Sequence, residues 1–94
     1  ILIDVREPAE YAAGHIPTAK NLPIMTRPDG FFLPKDEFRD AFGWEKPERE
    51  AVAVFYCKAG IRSRAAAGLA RQAGWEGARE YPGSWMDWVE REKE

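Results

Sequence analysis

The sequence predicts a three-layer α/β domain, with a central, mainly parallel sheet and helices on both faces. Two observations carry this. Short apolar runs alternate with segments of helical periodicity, the pattern of successive strand–helix units whose strands lie parallel. One run, Ala51-Val52-Ala53-Val54-Phe55-Tyr56, is unbroken and rich in β-branched residues, as a strand buried on both faces of a sheet is. With 94 residues, the chain is expected to form a single domain over 1–94 with a modest core.

The elements follow in order. Ile1-Leu2-Ile3-Asp4-Val5 reads as a strand with no lead-in before it, so the domain is expected to be truncated at its N-terminus. Ala9 to Ala13 reads as a short helix, with Pro8 in its first turn and Gly14 at its C-cap. His15-Ile16-Pro17 turns the chain into a short strand, Ala19 to Leu22. The loop Pro23 to Leu33 turns at Pro28-Asp29-Gly30, and Phe31-Phe32 either packs on the core or lines a pocket. Pro34 to Phe42 is an amphipathic helix ending at Gly43, with Phe38, Ala41 and Phe42 on its core face. Beyond a charged connector and the central strand, a small-residue helix runs to about Gly74. Gly77 to Tyr81 reads as a last strand nearer an edge. Trp85 to Glu90 is a final helix, with Trp85, Trp88 and Val89 on one face and at least two of them expected in the core.

The chain is organised around the junction after the central strand. The apolar run stops at Cys57, the only cysteine, and continues as Lys58-Ala59-Gly60-Ile61-Arg62-Ser63-Arg64. A strand, a tight loop and a helix N-terminus form an anion site, because loop amides and the first free helical N–H groups converge on one point. A thiol at that point is held as thiolate, its nucleophilic form. The position is at the carboxyl end of a parallel strand, where ligands of such sheets sit.

Charge patterning agrees. Ala51 to Trp75 contains Lys58, Arg62, Arg64 and Arg71 and no acid, whereas the whole chain has 14 cations and 16 acids. A local positive field on a mildly acidic body fits a small anionic substrate. It does not fit nucleic acid, whose binders carry a broad basic face. One cysteine excludes an internal disulfide and a cysteine-cluster metal site, and suits a reducing compartment. No run is long and apolar enough to span a membrane, so a soluble protein is expected; the lone cysteine suits the cytoplasm or mitochondrion, and the sequence does not choose between them. No metal or organic cofactor is implied.

The plainer reading of Cys57 is an inert, buried, small hydrophobe. Core packing, however, requires neither Gly60 nor three cations in the seven residues after the cysteine. His15, the only histidine, raises a cysteine–histidine nucleophile pair. Its place in a Gly-His-Ile-Pro turn favours a role in holding backbone.

Three blocks resemble the single-domain rhodaneses, the thiosulfate sulfurtransferase family, and in particular its small stand-alone fungal members. They are Ile3-Asp4-Val5-Arg6-Glu7-Pro8 with Glu10-Tyr11 and Gly14-His15-Ile16-Pro17; Cys57 to Ser63; and Tyr81-Pro82-Gly83-Ser84-Trp85-Met86-Asp87-Trp88. The resemblance implies transfer of a sulfane sulfur from thiosulfate, or from a persulfide donor, through a Cys57 persulfide. The acceptor is thiophilic: cyanide, a small thiol or a partner protein's thiol. It implies that Lys58, Ala59, Gly60, Ile61, Arg62 and Ser63 bind the transferred sulfur and the sulfonate oxygens, and that Trp85 walls the pocket. Asp4 and Arg6 take supporting roles. Ala59 stands where thiosulfate-using members can carry a basic residue, which leaves the substrate less defined than the reaction.

Three other readings share these residues. A persulfide carrier serving a partner protein uses the same chemistry with a different acceptor. A cysteine phosphatase or arsenate reductase uses a longer loop, and Cys57 to Arg62 is only six residues. A non-catalytic binding module of the same fold generally lacks the cysteine.

Overall fold

A computed structural model describes residues 1–93, and within it every strand pair is parallel. The elements are β1 (Leu2–Asp4), α1 (Pro8–Ala13), β2 (Lys20–Asn21), a 3-10 turn (Pro28–Phe32), α2 (Lys35–Phe42), β3 (Val52–Tyr56), α3 (Ile61–Gln72), β4 (Gly77–Glu80) and α4 (Ser84–Glu92). The strand order is β2-β1-β3-β4. β1 pairs with β3 at Leu2–Val54, Ile3–Phe55 and Asp4–Tyr56, and β4 lies on the outer side of β3. The expected edge position of the last strand is therefore found.

Side-chain alternation along the strands builds the three layers. Ile3, Val5, Ala53, Phe55 and Cys57 point to one face, where Ala66, Ala67 and Ala70 of α3, Phe38 of α2 and Trp75 complete the larger core. Leu2 and Tyr56 point to the other, where Tyr11 of α1 and Trp85 and Trp88 of α4 pack with Ile16 and Ala19. The alanines of α3 let that helix lie close on the sheet. An aromatic cluster thickens the larger core: Phe31, Phe55 and Trp75 meet at 5.7 to 5.8 Å between ring centroids, and the Trp75 indole donates to the Phe31 carbonyl at 2.9 Å.

Some expectations need correcting. Val52 is exposed and Val54 half-buried, so β3 is enclosed on both faces only toward its carboxyl end. Ala41 is exposed, because the α2 face that meets the core is narrower than its spacing implies; Phe38 is buried and Phe42 half-buried. Phe31 and Phe32 part company, the first buried and the second in solvent. Trp85, Trp88 and Val89 are all half-buried, because α4 covers the smaller core as a lid instead of entering it.

α3 ends at Gln72, short of Gly74, for a local reason. Gly74 sits at φ +92°, its amide donates to the Arg71 carbonyl, and the Trp75 amide donates to Ala70. This pair of bonds closes a helix through a left-handed residue just beyond its cap.

Among the described residues, no helix is long and apolar enough to cross a membrane.

Candidate functional site

Parallel pairing sets the site. Asp4 is level with Tyr56 in the ladder, so the segments leaving β1 and β3 emerge side by side at the carboxyl edge of the sheet. Arg6 leaves one and Cys57 the other. The start of α4 closes over both: the amides of Trp85 and Met86 donate to the carbonyls of Cys57 and Lys58 at 2.9 and 3.1 Å, and the Cys57 amide donates to Ser84 Oγ at 3.1 Å.

Cys57 Sγ is buried, with the whole residue 1% exposed. The Gly60 amide reaches it at 3.1 Å and the Ser63 amide at 3.3 Å; the hydroxyls of Ser63 and Ser84 lie at 3.5 and 3.9 Å. Burial pushes the thiol up, but the hydrogen bonds from Ser63, Gly60 and Ser84 outweigh it and hold Cys57 below the ordinary thiol value. Each hydroxyl also has a carbonyl within reach, Gly60 for Ser63 and Tyr81 for Ser84, at 3.1 and 2.9 Å. A thiol can thus donate to Ser63 Oγ, and once it is ionised both hydroxyls can turn to donate to sulfur.

Two backbone positions build the cradle. Gly60 is at φ +103°, and a Cβ there would stand 2.5 Å from the Pro82 carbonyl oxygen. Only glycine combines that left-handed conformation with so close an approach. Ser84 is fully buried at φ +56°, a conformation that costs a non-glycine residue about 1–3 kcal/mol and that recurs where a functional group must be aimed.

The amides of Ala59, Ile61 and Arg62 make no hydrogen bond among the described residues, and they belong to the same turn as the two that reach Sγ. Lys58, Ala59 and Ile61 present exposed side chains around the turn.

Arg62 does not stand free. Its guanidinium donates to both Glu10 oxygens, at 2.7 and 3.1 Å. Glu10 also caps α1, accepting the Glu7 amide at 3.1 Å. The hydrogen bond from Arg62 is the main reason Glu10 is pulled down from an ordinary 4.5 to about 2. A carboxylate with a depressed folded-state pKa adds stability above pH 4.5, and that contribution is lost as the pH falls toward 2. The stability difference between the wild type and Glu10→Gln, followed by urea titration, is therefore expected to shrink from pH 4.5 to pH 2.

Asp4 and Arg6 form a buried pair, Nη2 to Oδ2 at 2.7 Å, with a second bond from the Arg6 amide to Oδ1 at 2.9 Å. Arg6 also donates to the Gly14 carbonyl at 2.6 Å, and its guanidinium lies 4.8 Å from the Trp85 ring centroid. A cleft of about 270 Å³ opens beside these groups, with Lys58 and Trp85 among its walls. His15 lies apart, exposed, stacked on Tyr11 at 3.7 Å and 2.7 Å from the Tyr11 carbonyl through Nδ1.

The sequence-derived residues thus gather at one edge. Sequence reasoning missed Glu10 and Ser84. The Glu7 to Glu10 spacing carried a capping signal, but nothing marked Arg62, 52 residues away, as its partner. Ser84 looked like an ordinary turn residue.

Residues 1–91 match the family model described as the rhodanese-like domain. The chain belongs to the rhodanese family. This rhodanese is 42% identical over 89 residues to a Saccharomyces cerevisiae protein named thiosulfate:glutathione sulfurtransferase, covering 95% of this chain and 64% of that one. It is 38% identical over 93 residues to a Schizosaccharomyces pombe protein named putative thiosulfate sulfurtransferase, mitochondrial, covering 99% of this chain and 66% of the relative. The chain therefore spans slightly less than two thirds of both fungal proteins. The structure of a human single-domain sulfurtransferase superposes with a TM-score of 0.89 at 38% identity, over 96% of this chain and 80% of the human one.

Proposed function

We propose that this rhodanese moves a sulfane sulfur from thiosulfate to a thiol acceptor through a persulfide on Cys57. The observation that carries the reading is the setting of Sγ. A thiol held below its ordinary range accepts two amides and faces two hydroxyls, in a turn with further amides still unpaired.

In the first half-reaction the Cys57 thiolate attacks the outer sulfur of thiosulfate. The sulfur–sulfur bond of the donor breaks, its electron pair leaves on sulfite, and Cys57–S–S⁻ remains. In the second, an acceptor anion attacks the outer sulfur and returns Cys57 as thiolate. The first step ends and the second begins with negative charge on that outer sulfur, and preorganised donors aimed at such a charge supply much of the rate enhancement in acyl-transfer enzymes by the same electrostatic principle. The free amides of Ala59, Ile61 and Arg62 are the candidates for that role. The sulfonate end would lie toward Lys58 and the cleft beside Trp85, where a charge-assisted hydrogen bond can form.

A phosphatase would use Arg62, the arginine that ends the Cys57 loop, to close on a tetrahedral anion, whereas Arg62 is held by Glu10. Sulfur transfer makes no such demand, since a single sulfur atom is satisfied by amides. A free thiol also needs a reducing compartment, and the mitochondrion named for the fission yeast relative or the cytoplasm would serve.

Intact-protein mass spectrometry after brief exposure to thiosulfate tests the reading. The wild type is expected to gain about 32 Da, one sulfur, which cyanide removes and Cys57→Ser never acquires. A folded wild type with a free thiol that gains nothing from thiosulfate or any persulfide donor would rule the cycle out.

A further inference from the structure

A second cleft, of about 550 Å³, lies against the other side of the Cys57 turn, where Gly60 meets Pro82. Its chemistry differs from that of the smaller cleft. Arg64 and Glu80 both line it, and neither side chain has a hydrogen-bond or ion-pair partner among the described residues. Ile61, 82% exposed, adds an apolar wall. Of the cations near Cys57, Arg6 is taken by Asp4 and Arg62 by Glu10, while the side chains of Lys58 and Arg64 have no partner among the described residues, one lining each cleft.

This division fits two different substrates. Thiosulfate is a small dianion with no cationic group, and an unpaired carboxylate such as Glu80 repels it. The smaller cleft suits it better, since the carboxylate there, Glu10, is neutralised by Arg62. The larger cleft offers a separate cation and carboxylate, which complement a ligand carrying both a carboxylate and an ammonium.

We propose that the cleft lined by Arg64, Glu80 and Ile61 is where the sulfur acceptor sits, with Arg64 holding a carboxylate and Glu80 the ammonium of a peptide thiol such as glutathione, the acceptor named for the budding yeast relative. The inference rests on the persulfide cycle above and gives its second half-reaction a separate binding place. An extended tripeptide spans roughly 10 Å, and the cleft adjoins the turn through Gly60 and Ile61, so a peptide seated there has its thiol beside the turn. The acceptor thiol loses its proton to water and attacks the outer sulfur. The bond from that sulfur to Cys57 Sγ breaks, its electron pair stays on Sγ, and the peptide leaves as a persulfide with no net oxidation.

The test separates the half-reactions. Protein is loaded with thiosulfate, freed of excess donor, and discharged with glutathione, uncharged 2-mercaptoethanol or cyanide, for the wild type, Arg64→Ala and Glu80→Gln. Loading is expected to stay within about twofold of wild type for both variants, as is discharge by mercaptoethanol and cyanide. Glutathione discharge at subsaturating concentration is expected to slow roughly tenfold to a hundredfold, the loss of one charge-assisted hydrogen bond. Equal slowing with all three acceptors, or no slowing with glutathione, overturns the proposal. So does a defect confined to loading, which would assign Arg64 to the donor. Wild-type protein that does not load at all fails earlier and brings down the persulfide cycle itself.

Discussion

Gly60→Ala is expected to lower the rate of persulfide formation from thiosulfate by roughly a hundredfold to a thousandfold, the loss typical when one preorganised donor is removed from a reaction centre. The new Cβ would stand 2.5 Å from the Pro82 carbonyl oxygen, and backbone atoms of a packed turn do not yield as a flexible side chain does. The turn must lift away from Pro82, taking with it the Gly60 amide that reaches Sγ at 3.1 Å. The left-handed conformation at φ +103° adds about 1–2 kcal/mol of strain for any residue with a Cβ. Two measurements check this: the loading rate, and the pH dependence of Cys57 alkylation, whose midpoint should rise as the thiol loses a donor. A variant that loads within a few fold of wild type, with its alkylation midpoint unmoved, would show that Gly60 is merely spacing.

The second large effect is on stability. Asp4→Ala is expected to cost about 3–5 kcal/mol, because it leaves the 4% exposed Arg6 charged and without its partner. A domain of this kind has only about 5–15 kcal/mol in total, so the variant should unfold at a markedly lower urea concentration than the wild type. Urea titration measures the loss. The double variant Asp4→Ala, Arg6→Met should recover part of it, because the unpaired charge goes with its arginine and Met keeps apolar bulk beside Trp85. A single-variant cost under about 1 kcal/mol would mean that water reaches Arg6 and the pair is not a buried one.

The contrast between these residues shows what a sequence can reveal. The turn at Cys57 was legible because its signals are local: an apolar run that stops at a thiol, a glycine three residues on, and a helix of small residues. The parallel sheet was legible for the same reason, from strand and helix periodicities repeating in turn. What lay beyond reach were choices made across the fold. Arg62 could have faced any anion, and its partner proved to be Glu10, 52 residues earlier, already engaged in capping α1. Ser84 gave no sign that it would sit at positive φ beneath Cys57, because the backbone that forces it there comes from the packing of α4 on the turn. Phe31 and Phe32 are identical in type, and only the aromatic cluster around Trp75 decides which of them is buried.

The bonds between α4 and the turn also order events in time. Ser84 accepts the Cys57 amide from 27 positions further along the chain, and Trp85 and Met86 tie down the carbonyls of Cys57 and Lys58. A ribosome makes Cys57 well before it makes these anchors. Until they arrive, the nascent cysteine has neither the Ser84 hydroxyl nor a turn pressed against Pro82, and it reacts as an ordinary thiol. The setting that lowers the Cys57 thiol is therefore complete only once residues 84–86 have been made and have docked on the turn.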